Sequence, residues 1–176
     1  MTDVGGTERT LVLLRHAKAE APGSGPDVQR PLTARGHADS AAAGAWLARH
    51  GLLPDVVLCS AARRTRQTWH GVQLGMTGAA DEAGPAGPAP QVRYEPGAYE
   101  ARPADLLALV RSTPAEATTV LLVAHNPGIS LLSALLDPER ADQEGLRTTD
   151  LVVHRTRLPW AELHRADIVA RHTARA

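Results

Sequence analysis

The sequence predicts a three-layer α/β/α domain with a mainly parallel central sheet. Three apolar runs, Leu11 to Leu14, Asp55 to Cys59 and Val120 to Ala124, are too short for helices and rich in Val and Leu, as strands buried on both faces are. Segments carrying helical start and stop signals lie between them, and that alternation favours parallel pairing. Two of the runs lead into a histidine, His16 and His125, which places both imidazoles at the carboxyl ends of strands, where open α/β sheets build their sites.

A polar, Gly-containing leader precedes the first strand, and a Pro/Gly-rich loop over residues 21–31 follows it beside His16. Thr33 is the expected N-cap of a helix through Arg49, with Ala38, Ala42, Ala45, Trp46 and Arg49 along its inward side and Gly51 ending it. The second strand leads to a helix from Ser60 through Leu74 that carries Arg63, Arg64 and Arg66 near its start. Cations there oppose the helix dipole, so a compensating anion is expected. Thr77 to Gln91 is Gly, Ala and Pro without apolar periodicity, which predicts a flexible surface loop.

Pro103 opens a helix whose buried side is Leu106, Leu107, Leu109 and Val110, and Pro114 stops it. After His125, Asn126 is the expected N-cap and Pro127 the first residue of a helix to Leu136, whose free amides would point back toward the histidine. Leu151 to His154 and Glu162 to Val169 read as two strands joined by a turn around Pro159, at the sheet edge.

With 176 residues, the chain fits one domain, residues 1–176 with a core over 10–170, large enough to fold without disulfides or structural metals. Phe is absent and aromatics are 3%, so Leu, Val and Ala must build that core. Lys plus Arg equals Asp plus Glu at 19 each, with no basic block and no zinc-finger spacing, which argues against nucleic acid as a partner. The single cysteine, Cys59, and the lack of both a secretory leader and a run of about 18 apolar residues predict a cytoplasmic protein that does not cross a membrane. His37, His50, His70, His154, His164 and His172 show no metal-ligand spacing, so neither a metal nor another cofactor is expected.

Four segments, in order, resemble the histidine phosphatase superfamily, the group that includes the cofactor-dependent phosphoglycerate mutases. Leu14-Arg15-His16-Ala17 resembles its Arg-His-Gly/Ala motif, and Arg30-Pro31-Leu32-Thr33-Ala34-Arg35-Gly36 resembles the RPLT segment that follows. Ser60 through Thr68, with Arg64, Gln67 and Thr68, resembles the SxxxRxxQT motif, and Val123-Ala124-His125-Asn126-Pro127-Gly128 resembles the second-histidine motif. The short length and the RPLT and HNPG wording are most similar to SixA-type phosphohistidine phosphatases. Any one motif is weak; four in order over residues 10–137 are strong.

The resemblance implies a phosphoglycerate mutase-like fold and a metal-independent phosphatase in which His16 attacks phosphorus, forming a phosphohistidine enzyme that water hydrolyses. Phosphoryl transfer needs an in-line nucleophile and a preorganised positive cradle, which Arg15, Arg64, His125 and helix amides would supply. His16 must be unprotonated at its attacking nitrogen, with the other ring nitrogen donating to a fixed acceptor, while His125 stabilises the phosphoryl oxygens. Arg30, Thr33 and Asn126 form a second tier of phosphate or substrate ligands, with loop shaping and helix capping as their alternative roles. An alcohol leaving group needs a general acid, for which Glu95, Tyr99 and Glu100 are the candidates; a phosphohistidine substrate leaves as imidazole, of pKa about 6.5, and needs less help. A phosphorylated protein is therefore the expected partner. The alternatives are a small phosphate ester or phosphoserine as substrate, and a non-catalytic phosphate- or phosphoprotein-binding module. Mutase activity is disfavoured by the few extra basic residues.

Overall fold

The computed structural model describes residues 6–83 and 88–176. Its strands are β1 (Arg9–Arg15), β2 (Val56–Ser60), β3 (Gln91–Glu95), β4 (Thr119–Ala124), β5 (Asp150–Thr156) and β6 (Asp167–Thr173). The helices are α1 (Ala34–Arg49), α2 (Arg63–Ala83), α3 (Pro103–Arg111) and α4 (Gly128–Leu136). All six strands form one sheet in the order β3-β2-β4-β1-β5-β6. The first four in that order pair in parallel, whereas β5 runs antiparallel to β1 and β6 antiparallel to β5.

The apolar runs are continuous because both faces of the central strands are covered. Leu11, Leu13, Leu58, Val120 and Leu122 point to the side of α3 and α4, where they meet Leu106, Val110, Ile129 and Leu132. Their alternates, Val12, Leu14, Val57, Cys59, Leu121 and Val123, pack with Leu47, Trp69 and Val72 on the side of α1 and α2. Each fully buried Leu contributes about 2 kcal/mol of hydrophobic stabilisation, which fixes the register of the strands that carry the site.

Several expectations are corrected. Thr33 does cap α1, its Oγ1 accepting the Gly36 N–H at 3.0 Å, but the buried stripe is Gly36, Ser40, Ala43, Gly44 and Leu47, with Ala38 exposed. The inward face carries the smallest residues because α1 and α2 nearly touch. A Cβ on Gly44 would lie 2.0 Å from the Val72 carbonyl oxygen, and one on Gly75 1.9 Å from that of Ala41. The same contact extends α2 well past Leu74, so residues 77–83 are helix, not loop. Gln91 already begins β3, and residues 84–87 of the expected loop, like leader residues 1–5, lie outside the described residues.

The helix after His125 starts at Gly128, with Pro127 in the capping position, so Asn126 is not its N-cap. Near the C-terminus, β5 lies inside the sheet between β1 and β6, and the last strand is Asp167–Thr173 rather than Glu162 to Val169. Trp160–Glu162 is instead a single 3-10 turn that buries Trp160, whose Nε1 donates to the Ala117 carbonyl at 2.7 Å. Among the described residues no helix is long and apolar enough to cross a membrane.

Candidate active site

Since β2, β4 and β1 are neighbours running the same way, their carboxyl ends bring Ser60, His125 and His16 to one edge of the sheet. The rings of His16 and His125 lie 5.3 Å apart, tilted by 55°. The backbone N–H of His16 donates to the Ala124 carbonyl at 3.1 Å, which extends the β1–β4 ladder to the histidine itself.

His16 Nδ1 is 2.8 Å from the Ala17 carbonyl oxygen. A carbonyl only accepts, so Nδ1 carries the proton and Nε2 keeps its lone pair. Burial, with the charges of Arg15 and Arg64 added, lowers the His16 pKa to about 4, although the Ala17 bond opposes the shift. The neutral ring is thereby the resting form. The Ala17 N–H donates to Thr68 Oγ1 at 3.0 Å, and that hydroxyl donates to the Arg64 carbonyl at 2.7 Å, which ties the first motif to α2.

His125 places Nε2 2.7 Å from Ser60 Oγ. Ser60 Oγ also accepts the Ala62 N–H, so its own proton is free to go to His125 Nε2, and Nδ1–H is then left as a donor. That Nδ1 is buried without a hydrogen-bond partner. Burial first, then the proximity of His16 and Arg64, pushes the His125 pKa down to about 3.

Arg15, at the end of β1, donates from Nη1 to the Leu146 carbonyl at 3.1 Å, and its Nε is buried without a partner. Arg64, in the first turn of α2, spends Nη1 on the Asp27 carbonyl at 2.9 Å and Nη2 on the Asp27 carboxylate at 3.1 Å. Its Nε is likewise buried and unpartnered. Arg15, Arg64 and His125 thus each leave one buried donor nitrogen unpaired, and all three groups are near enough to His16 to perturb one another electrostatically. Unpaired buried donors are costly, and three of them beside a free imidazole lone pair make a cradle for an oxyanion.

Asp27 is the residue that sequence reasoning missed. Its carboxylate accepts the Tyr99 hydroxyl at 2.6 Å and Arg30 Nε at 2.9 Å besides Arg64, and these partners, Tyr99 foremost, hold its pKa down at about 2. The same bond raises Tyr99 to about 12. Asp27 is the anion that compensates Arg64. The only advance signal was the unbalanced arginines at the start of α2. Tyr99 also meets the His125 ring edge-on at 5.6 Å.

The second-tier residues divide. Arg30 reaches the rim through Asp27 and also donates to the Glu20 carbonyl at 2.8 Å. Thr33 is a helix cap whose hydroxyl donates to the Lys18 carbonyl, so its side chain is engaged by backbone. Asn126 donates to the Leu146 carbonyl at 2.7 Å and accepts the Ser130 hydroxyl; with Arg15 it grips the same carbonyl, acting as a brace. Of the candidate acids, Glu95 is ion-paired to Arg93 at 2.8 Å, and Glu100 is exposed beside Tyr99 with a φ of 56°. His154 is a core residue bonded to the Ala166 carbonyl and Ser133, and no cluster of metal-ligating residues occurs among the described residues.

Comparison with known proteins gives a consistent result. A family model described as histidine phosphatase superfamily (branch 1) matches residues 11–83. An uncharacterised protein of Mycobacterium tuberculosis is 32% identical over 158 residues, covering 85% of this chain and 91% of the relative. A structure from Nakamurella multipartitia, provisionally named phosphohistidine phosphatase SixA, superposes with a TM-score of 0.79 at 33% identity, over 98% of this chain and 99% of the other. One from Agrobacterium tumefaciens under the same provisional name gives 0.76 at 27% identity, over 93% and 97% of the two chains.

Proposed function

Since this chain belongs to the histidine phosphatase superfamily and is SixA-like, we propose that it is a phosphatase working through a phosphorylated His16, with phosphohistidine in a protein as its substrate. The observation that carries the reading is the trio of buried, unpaired donors, Arg15 Nε, Arg64 Nε and His125 Nδ1, on the residues that neighbour His16, whose Nδ1 is bonded to Ala17 and whose Nε2 keeps its lone pair. A phosphoryl group set there meets one nucleophile and three donors, which is the demand of in-line transfer.

In this mechanism His16 Nε2 forms a bond to phosphorus as the bond from phosphorus to the substrate's ring nitrogen breaks; the substrate ring, already protonated on its other nitrogen, takes the electron pair and leaves as neutral imidazole. The His16 ring gains positive character as it is phosphorylated, and the Ala17 carbonyl on Nδ1–H stabilises it. Water then attacks the phosphorylated His16, restoring the free ring and releasing inorganic phosphate. The incoming phosphoryl dianion offsets the burial and cationic neighbours that lower the His125 pKa, so His125 strengthens as a donor when the site is filled.

The substrate preference rests on the missing acid. Glu95 is committed to Arg93, Glu100 is exposed, Asp27 stays ionised, and the Tyr99 proton is held against Asp27. An alkoxide would leave unassisted, whereas an imidazole of pKa about 6.5 needs little help. The far end of α2 also lies away from the site. Since β3 runs parallel to β2, the intervening α2 must run back along the sheet, which delivers residues 77–83 to the edge opposite the histidines. Among the described residues the segments that border the site are the short loops around Asp27, Tyr99 and Leu146, and a rim of short loops suits a protein substrate.

The test is a side-by-side assay of a phosphohistidine peptide, phospholysine and a panel of sugar and nucleotide phosphates. The phosphohistidine peptide is expected to exceed every alkyl phosphate in kcat/KM by about 100-fold or more. The reverse order would refute the substrate assignment.

A further inference from the structure

Along the outer side of α2, beginning at the first turn that also carries Arg64, lies a cleft of 540 Å³ that the chemistry above does not use. Arg63, Arg66 and His70 line it from α2, His37 from α1, and Tyr94 and Gln29 belong to the same wall. Three of these side chains are spaced as one exposed stripe, since residues three and four apart share a helix face. No carboxylate lines the cleft, in a chain whose positive and negative side chains are equal in number. Among the described residues Arg63, Arg66, His37 and His70 make no ion pair, whereas Arg64, Arg30, Arg93 and Arg140 all do. The local excess of positive charge is therefore real and unspent.

The cleft adjoins the catalytic edge through chain neighbours of the site residues. Arg63 and Arg64 are consecutive, one exposed in the cleft and the other buried against Asp27, and Ala61 of the cleft wall follows Ser60. Arg66 sits over the Tyr94 ring at 5.4 Å, and Tyr94 is 48% exposed. That stacking orders the guanidinium, and Tyr and Arg are among the residue types enriched where partners are anchored.

We propose that this cleft docks an acidic segment of the phosphoprotein substrate, flanking the phosphohistidine delivered to His16. The proposal rests on the protein-phosphatase reading above. Bidentate guanidinium pairing with carboxylates suits Arg63 and Arg66, and the open, solvent-exposed shape suits a chain segment running across the rim. Such a site raises the association rate and lowers KM without touching the chemical step, and salt screens it.

Two phosphohistidine peptides, one with Asp and Glu on its flanks and one with Ser and Gln, are compared on the wild type and on Arg63→Gln/Arg66→Gln, with a small phosphoramidate as reference. Wild type is expected to show a KM about 10-fold lower for the acidic peptide at low salt, an advantage lost in the variant and in about 0.5 M salt, with phosphoramidate turnover equal in both proteins. Equal KM for the two peptides, with the phosphoramidate turned over, overturns the docking proposal alone. Absence of turnover on all three substrates would instead defeat the phosphatase reading beneath it. If the variant loses activity on a small bisphosphorylated ester while the acidic peptide is unaffected, the cleft binds a second phosphate and the proposal is wrong.

Discussion

Acidification from about pH 7.5 to about pH 5 is expected to remove about 4 kcal/mol of folding stability through His16 and His125 alone. Both rings are buried and held neutral, with pKa values lowered to about 4 and about 3, whereas an imidazole of the unfolded chain titrates near 6.5. At about pH 5 the unfolded chain binds a proton at each position and the folded protein does not, so stability falls once the pH drops below the unfolded value and stops falling below the folded ones. With folded values this low, the loss at about pH 5 is set by the unfolded pKa. It amounts to about 1.4 kcal/mol per pH unit, or about 2 kcal/mol for each histidine. That is a large share of a domain's total stability. His154, also lowered by burial, adds a loss in the same direction, so the comparison needs a control. Urea unfolding followed by circular dichroism at both pH values, on wild type and on His16→Gln/His125→Gln, isolates the pair. The variant is expected to lose about 4 kcal/mol less on acidification. Equal losses in the two proteins would refute the claim that burial and the flanking arginines hold these rings neutral.

Asp27→Ala removes the acceptor of Arg64 Nη2, Arg30 Nε and the Tyr99 hydroxyl while leaving the backbone carbonyl that Arg64 Nη1 uses. Loss of that anchoring is expected to lower kcat/KM about 10-fold, with little change in Tm because the carboxylate is 48% exposed; an unchanged kcat/KM would show that Arg64 is positioned by other contacts. Gly75→Ala, ordinarily a gain in a helix, is expected to cost about 2 kcal/mol or more, since its Cβ would meet the Ala41 carbonyl at 1.9 Å; urea unfolding that shows a stabilised variant would deny the close α1–α2 approach.

The parts of the fold that were legible in the sequence are those built from large apolar residues. Leu11 to Leu14 and Val120 to Ala124 announced themselves as strands because Val and Leu fill both faces of the sheet. Both helices of the α1–α2 layer were read from their start and stop signals, but the inward face of α1 and the length of α2 were not, since their contact is made by Gly44, Gly71 and Gly75, which leave no hydropathy stripe, and so residues 77–83 read as loop. Residue 27 illustrates the same limit at the site. His16, Arg15, Arg64 and His125 are brought together as motif order implied, but a lone Asp in a Pro/Gly-rich loop carries no periodicity, and only the tertiary path of that loop sets it on Arg64. Asn126 was assigned to the wrong task because its side chain satisfies the Leu146 carbonyl, a partner twenty residues away.

In the proposed mechanism His16 carries the phosphoryl group during turnover. The most direct measurement is a rapid alkaline quench of enzyme mixed with a phosphohistidine peptide, followed by mass spectrometry of its peptides. A transient mass increment of one phosphoryl group is expected on the peptide bearing His16, stable to alkali, lost on mild acid treatment, and absent from His16→Ala. Phosphate release at the wild-type rate by His16→Ala, or label on His125 instead, would contradict it.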